Sequence, residues 1–325
     1  MHFRTALACL AALVAIDTPL FAAEPAAGGP AARSVAITID DVPIGGARWS
    51  GDTPEVVTRI NEGILAALKE SDVPAIGFVT EQRLQVAGQI DARVAVLRSW
   101  VASGMELGNH GFSHLGFETT PIETFQDDVI RGEVVTTWIT GHRPRYFRFP
   151  YNQTGPSAEA KAAMTTFLAH RGYEVAPFTV EHADYVYNAV YAAARARGDD
   201  ETRQQALDAY LDHLDTAFAY AEAFSVDLFG REVPQILLIH ANEINAAVLN
   251  RMLEALEQRG YAFISLEQAL RDEAYASPDD YVGRWGISWF HRWRYSRGLA
   301  MRKDEPDPPR KILEAYRALT DPDGP

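Results

Sequence analysis

An α/β fold built on parallel strands is what this sequence predicts, and two observations predict it. Short β-branched or apolar runs recur at 35–39, 75–79, 105–109, 145–149, 174–179, 235–239 and 261–265, and the stretches between them show helical periodicity. The 325 residues are 47% apolar and 10% aromatic, which is enough to bury one large core or two small ones. Seven strand candidates fit a barrel or an open parallel sheet, and the pattern alone leaves that choice open.

Taken in order, the chain starts with MHFRTALACLAALVAIDTPLFAAEPAAGG, where Arg4 precedes an apolar stretch from Ala6 to Ile16 and small residues stand at Ala22 and Ala23. This reads as a secretory signal peptide over residues 1–23, followed by a linker over 24–33, and it predicts a periplasmic or secreted protein. The apolar stretch is too short to span a bilayer, so no transmembrane segment is expected in the mature chain. Cys9, the only cysteine, falls inside the signal, which excludes disulfides, thiolate metal sites and a cysteine nucleophile from the mature protein. The net charge of −14 would repel phosphate backbones, and nucleic acid is excluded as a partner on that ground.

The first helix is expected in TPEVVTRINEGILAALKESD, with Thr53 as N-cap, Pro54 at the first helical position, and Val57, Ile60, Ile64 and Leu68 on one face. IDARVAVLRSWVASG ends on Gly104, as a helix C-terminus prefers. ETRQQALDAYLDHLDTAFAYAEAF repeats Leu207, Tyr210, Leu211, Leu214 and Phe218 at helical spacing and reads as core. From Ser277 the rhythm stops. A Trp- and Arg-rich stretch, YVGRWGISWFHRWRYSRG, leads into DEPDPP, and its Trp285, Trp289, Phe290 and Trp293 are expected to pack over the preceding domain.

Chemistry-bearing residues gather at strand ends. VAITIDDVP puts adjacent carboxylates, Asp40 and Asp41, at the end of an apolar run, and neighbours on a strand can act together only where it opens into a loop. ELGNHGFSHLGF places His110 and His114 at H-x-x-x-H spacing, which on a helix or tight turn brings both imidazoles to one side. With one carboxylate they form a facial N,N,O site for a divalent cation. Arg148, Pro150 and Tyr151 end YFRFPYNQ, and His240 ends QILLIH. Taken singly, Arg148 also reads as a surface residue beside a proline turn and His240 as a satisfied core histidine. Four strands ending in such residues make a joint structural explanation poor, because active sites of parallel β/α barrels sit at that end.

The ordered set TIDD, HGFSH, RFPY, HADYVYN and LLIH resembles the five motifs of the polysaccharide deacetylases, metal-dependent carbohydrate esterases of chitin- and peptidoglycan-deacetylase type. The resemblance implies a distorted (β/α)7 barrel over residues 34–275 with a C-terminal extension at 276–325. It further implies Asp41, His110 and His114 as ligands of a divalent metal, zinc first and cobalt second. Asp40 would be the catalytic base, held ionised by Arg148, and the Tyr151 N–H would stabilise the oxyanion. His240 would be the general acid, held by Asp184, with Leu238, Pro150 and Tyr185 at the substrate pocket.

Two departures stand out. Gly111 occupies a position where the family commonly has Ser or Thr, and Tyr185 replaces a frequent Trp, which leaves His182 as a rival partner for His240. His142, His170, His213 and His291 fit no motif. The expected activity is hydrolysis of N-acetyl groups from an amino-sugar glycan. A small non-sugar amide as substrate, or a catalytically silent carbohydrate-binding relative, are the competing readings.

Overall fold

The computed structural model describes residues 33–46 and 50–321; the expected signal peptide and all of the linker but Arg33 lie outside them. Seven strands form one sheet: β1 (Arg33–Val42), β2 (Ala75–Val79), β3 (Glu106–Asn109), β4 (Tyr146–Phe147), β5 (Glu174–Val175), β6 (Gln235–His240) and β7 (Tyr261–Phe263). All seven fall on the predicted runs. The order is β5-β4-β3-β2-β1-β6, with β7 pairing the start of β1, and every pairing is parallel.

The sheet curls until its ends meet. Glu174–Val175 pair with β4, and five residues later Val180 bridges Leu237 of β6, with the Leu238 N–H donating to the Val180 carbonyl at 2.9 Å. One irregular segment thus serves both edges, which gives the distorted barrel of the expectation and leaves few unpaired backbone groups at a free edge.

Helices fill the crossovers: α1 (Pro54–Glu70), α2 (Ile90–Ala102), α3 (Ile122–Arg131), α4 (Val134–Thr140), α5 (Ala158–His170), α6 (Asp184–Arg197), α7 (Asp200–Phe229), α8 (Glu243–Gln258) and α9 (Leu266–Leu270). The extension adds α10 (Trp289–Ser296) and α11 (Arg310–Thr320). Because helices cover the outer face and side chains fill the inner one, β1 is buried without alternation from Val35 to Val42.

Local signals set the helix ends. Thr53 caps α1 by accepting from the Val56 N–H, Pro54 opens the helix, and Val57, Ile60, Ile64 and Leu68 bury fully against the core. Each such side chain contributes ~1.5–3 kcal/mol on burial, so Ile64→Ala should cost ~2–5 kcal/mol. Tyr210, Leu214 and Phe218 of α7 are buried, while Leu207 and Leu211 flank them partly covered. In the extension, Phe290 stacks on Phe224 of α7 at 5.4 Å, and Trp293 meets Phe229 and Tyr275 edge-on. Trp289, Phe290 and Trp293 are therefore interior residues, whereas Trp285 stays 64% exposed.

Candidate active site and metal centre

The adjacent aspartates do not sit in a loop, as the sequence reading required. β1 runs on to Val42, but its register against β2 slips between Ile39 and Val42, and Asp41 takes φ +68°. This bulge rotates the pleat so that both carboxylates serve one pocket. Asp40 Oδ1 accepts from Arg148 Nη1 at 3.0 Å, leaving Oδ2 3.8 Å from His110 Nε2. Asp41 Oδ2 pairs with Arg83 Nη1 at 2.9 Å, and Oδ1 lies 3.5 Å from His114 Nε2 and 4.0 Å from His110 Nε2.

Asp41, His110 and His114 can place one ligand atom each within 4.8 Å of the others. The His110 Nδ1 lies 2.8 Å from the Arg148 carbonyl, which can only accept, so that nitrogen carries the proton and Nε2 offers its lone pair to the pocket. Burial lowers the pKa of both imidazoles, His114 to about 3, against the pull of the nearby aspartates. Burial opposes the charge on Asp41, but Arg83 and the histidines outweigh it and hold the carboxyl well below the usual range. Two neutral imidazoles and one ionised carboxylate on a common centre are the donor set of a borderline divalent cation, and the residues present fit one.

The loop between the histidines is held without the expected hydroxyl. Gly111 takes φ +75°, and a Cβ there would stand 2.8 Å from Asp128 Oδ2. The space belongs to Asp128, whose carboxylate accepts from the Phe112 N–H at 2.9 Å and the Ser113 N–H at 3.0 Å, while Asn109 Oδ1 accepts from the Gly111 N–H at 2.7 Å. His114 itself has φ +58°.

Arg148 is wholly buried. Besides Asp40 it donates to Thr38 Oγ1 at 2.6 Å and to the Pro177 carbonyl at 2.8 Å, and it lies over the Phe78 ring at 4.5 Å. Its reading as a surface residue is thereby corrected. Pro150 is buried, and Tyr151 follows with φ +55°, 59% exposed, its ring 4.5 Å from that of His114. The neighbouring N–H groups of Asn152 and Gln153 donate to Phe149 and Pro150 carbonyls, whereas the Tyr151 N–H has no partner among the described residues.

His240 ends β6 opposite Asp40, in register with it. Its Nδ1 lies 2.7 Å from Asp184 Oδ1, and its N–H donates to Asp184 Oδ2 at 2.8 Å. Asn242 and Asn245 also donate to that oxygen, at 2.8 Å and 2.6 Å. His182 is no partner: it is buried and stacks on Tyr210 at 4.5 Å. Burial works against a charge on His240, but Asp184 overrides it and raises the pKa to about 10. Leu238, two residues earlier on the same strand, is buried, and Tyr185 is 52% exposed beside Tyr316 of α11.

Among the described residues, five of the six non-glycine residues with positive φ are Asp41, His114, Tyr151, Asn152 and Ala183, all in or beside this site. Such conformations cost ~1–3 kcal/mol each and persist where surrounding structure over-determines them. Sequence reasoning missed Arg83, Asn109, Asp128, Asn242 and Asn245. Only Asn242 left a local signal, as an N-cap two residues after a strand-end His.

Fold and site together define a parallel-barrel protein with an Asp-His-His cluster at the carboxyl ends of its strands. Residues 27–167 match the model of the polysaccharide deacetylase family. Among solved structures, a mutant CE4 family pseudoenzyme aligns at a TM-score of 0.52 and 18% identity, covering 76% of this chain and 70% of that one. The wild-type CE4 pseudoenzyme from Bacillus anthracis aligns at 0.50 and 17%, covering 76% and 68%. A peptidoglycan deacetylase from Bacillus subtilis gives 0.47 and 20%, covering 75% and 93%. At 17–18% identity the likeness to the two pseudoenzymes is one of fold. No curated protein matches the sequence. No helix among the described residues is long and apolar enough to cross a membrane.

Proposed function

We propose that this protein is a metal-dependent N-deacetylase of an acetylated amino-sugar glycan, chitin-like or peptidoglycan. One observation carries the reading: the Asp41, His110 and His114 cluster lies between an aspartate held by a buried arginine and a histidine held by a buried aspartate. A binding module needs neither of those pairs, which disfavours a silent relative.

A divalent cation, zinc in our reading, would polarise the amide carbonyl and acidify water when held by Asp41, His110 and His114. Asp40 is the base. Arg148 occupies its Oδ1, so Oδ2 accepts the proton of the attacking water. The unpaired Tyr151 N–H donates to the carbonyl oxygen as it gains charge. His240, kept protonated by Asp184, donates from Nε2 to the departing nitrogen. Leu238 and Pro150 line the acetyl side and Tyr185 the outer rim. Residues 1–23 direct export to the periplasm or beyond, 34–275 form the catalytic domain, and 276–325 form the extension.

The test is acetate release from N-acetylglucosamine oligomers, peptidoglycan fragments and simple amides, with chelator and after zinc or cobalt is restored. Chelator-sensitive release from a glycan is expected. Release from simple amides alone moves the protein to a non-sugar substrate, and none from any substrate with metal restored overturns the deacetylase reading.

A further inference from the structure

The Tyr151–Asn152 turn is strained, with both residues at positive φ, and the groups that hold it come from outside the barrel. Arg292 of α10 is wholly buried. It donates from Nη2 to the Asn152 carbonyl at 2.5 Å and from Nη1 to Thr154 Oγ1 at 3.1 Å. Its charge is met by Asp279 Oδ2 at 3.2 Å, an oxygen that Lys161 of α5 also reaches at 2.8 Å. Gln153 Nε2 donates to the Arg284 carbonyl at 2.9 Å. Gly286 then lies against the turn so closely that a Cβ would fall 1.8 Å from the Tyr151 carbonyl oxygen and 2.7 Å from Asn152 Cβ. No side chain fits there.

Packing alone does not explain this arrangement. Phe290 and Trp293 already bind α10 to the core through Phe224, Phe229 and Tyr275, and a buried arginine adds nothing to such a contact that an apolar residue of similar size would not. What the guanidinium supplies is a planar fork able to hold a backbone carbonyl and a hydroxyl at once.

We propose that the C-terminal extension completes the active site, with Arg292 and Gly286 as positioning residues that fix the Tyr151 N–H and ring beside His114. What the fixed N–H then does rests on the deacetylase reading above. Neither residue touches the reacting atoms; both act through the turn.

The test uses the full chain with Arg292→Lys and Gly286→Ala. Lysine keeps the charge but loses the fork, and alanine in a loop outside the core leaves the fold intact while displacing the turn. Each variant is followed by thermal melting, metal content, kcat and KM for acetate release, and hydrogen exchange of peptides spanning 149–155. We expect kcat to fall about 10- to 100-fold with KM within about threefold, since misplacing an oxyanion donor acts on the transition state. Metal content should not change, and exchange across the turn should rise about tenfold in both variants. Should the lysine variant fail to fold, the alanine variant decides. Unchanged kcat or unchanged exchange in a folded Gly286→Ala overturns the proposal, as does a rise in KM alone. A parent that releases no acetate from any substrate sinks the deacetylase reading, and exchange alone then judges the clamp: protection retained in the variant overturns it.

Discussion

Asp184→Asn tests the proposed general acid most directly. His240 Nδ1 and Asp184 Oδ1 stand 2.7 Å apart, and Asp184 is wholly buried. Two unit charges at that distance attract by about 6 kcal/mol at an effective dielectric of 20. Burial works against the imidazolium, and the rise of His240 from 6.5 to about 10 is what survives, about 5 kcal/mol. Asparagine keeps the shape but removes the charge, so that with a bound cation offsetting the pull of Asp41 and Asp40 burial acts alone and His240 should titrate below 6.5. At pH 8 the acid form then drops from about 99% to about 3% or less, and kcat should fall at least about 30-fold, with a much smaller loss at pH 6.

The sign for stability follows from the raised folded-state value. The pair stabilises fully below pH 6.5, and the contribution is lost as pH climbs towards 10, so the parent's melting temperature should decline across that window while the variant's stays flatter. A cation bound by Asp41 would offset the contributions of Asp40 and Asp41, so both the imidazole titration by NMR and the pH–kcat profile are read on the zinc-loaded enzyme. Identical His240 titration in parent and variant, or a kcat ratio independent of pH, would refute the reasoning.

The adjacent aspartates should come apart. Asp41→Asn should lose metal and activity together, whereas Asp40→Asn should keep its metal and lose ~10²- to 10⁴-fold in kcat, read by elemental analysis and acetate release. Asp128→Ala removes the acceptor of the Phe112 and Ser113 N–H groups and should weaken metal affinity ~10- to 100-fold, measured by competition with a chelating dye. Gly111→Ser, which restores the family's common hydroxyl, should instead lower the melting temperature, because its Cβ meets Asp128 at φ +75°. Zinc at about a thousandfold over its Kd should stabilise the parent by about 4 kcal/mol in denaturant titration and leave Asp41→Asn unmoved.

The strands, the main helices and the place of the chemistry along the chain are legible in local patterns of residues. β1, β2 and β6 were legible as unbroken apolar runs because both faces of a covered parallel sheet are buried, and α1 because Thr53 and Pro54 state its start locally. Asp40, His110, Arg148 and His240 stood out because each ends such a run. How they meet depends on pairing between distant segments. The slip in β1 that lets Asp40 and Asp41 share a pocket depends on pairing with β2, more than thirty residues later in the chain. Asp128 stands in for a missing hydroxyl across a helix, and Asp184 rather than His182 meets His240 because Asn242 and Asn245 converge on the same carboxylate. Arg83 and Arg292 carried no local signal. Buried cations take their meaning from acceptors at distant positions, Asp41 for one and Asn152 for the other, and periodicity and capping report only on neighbours within a few residues.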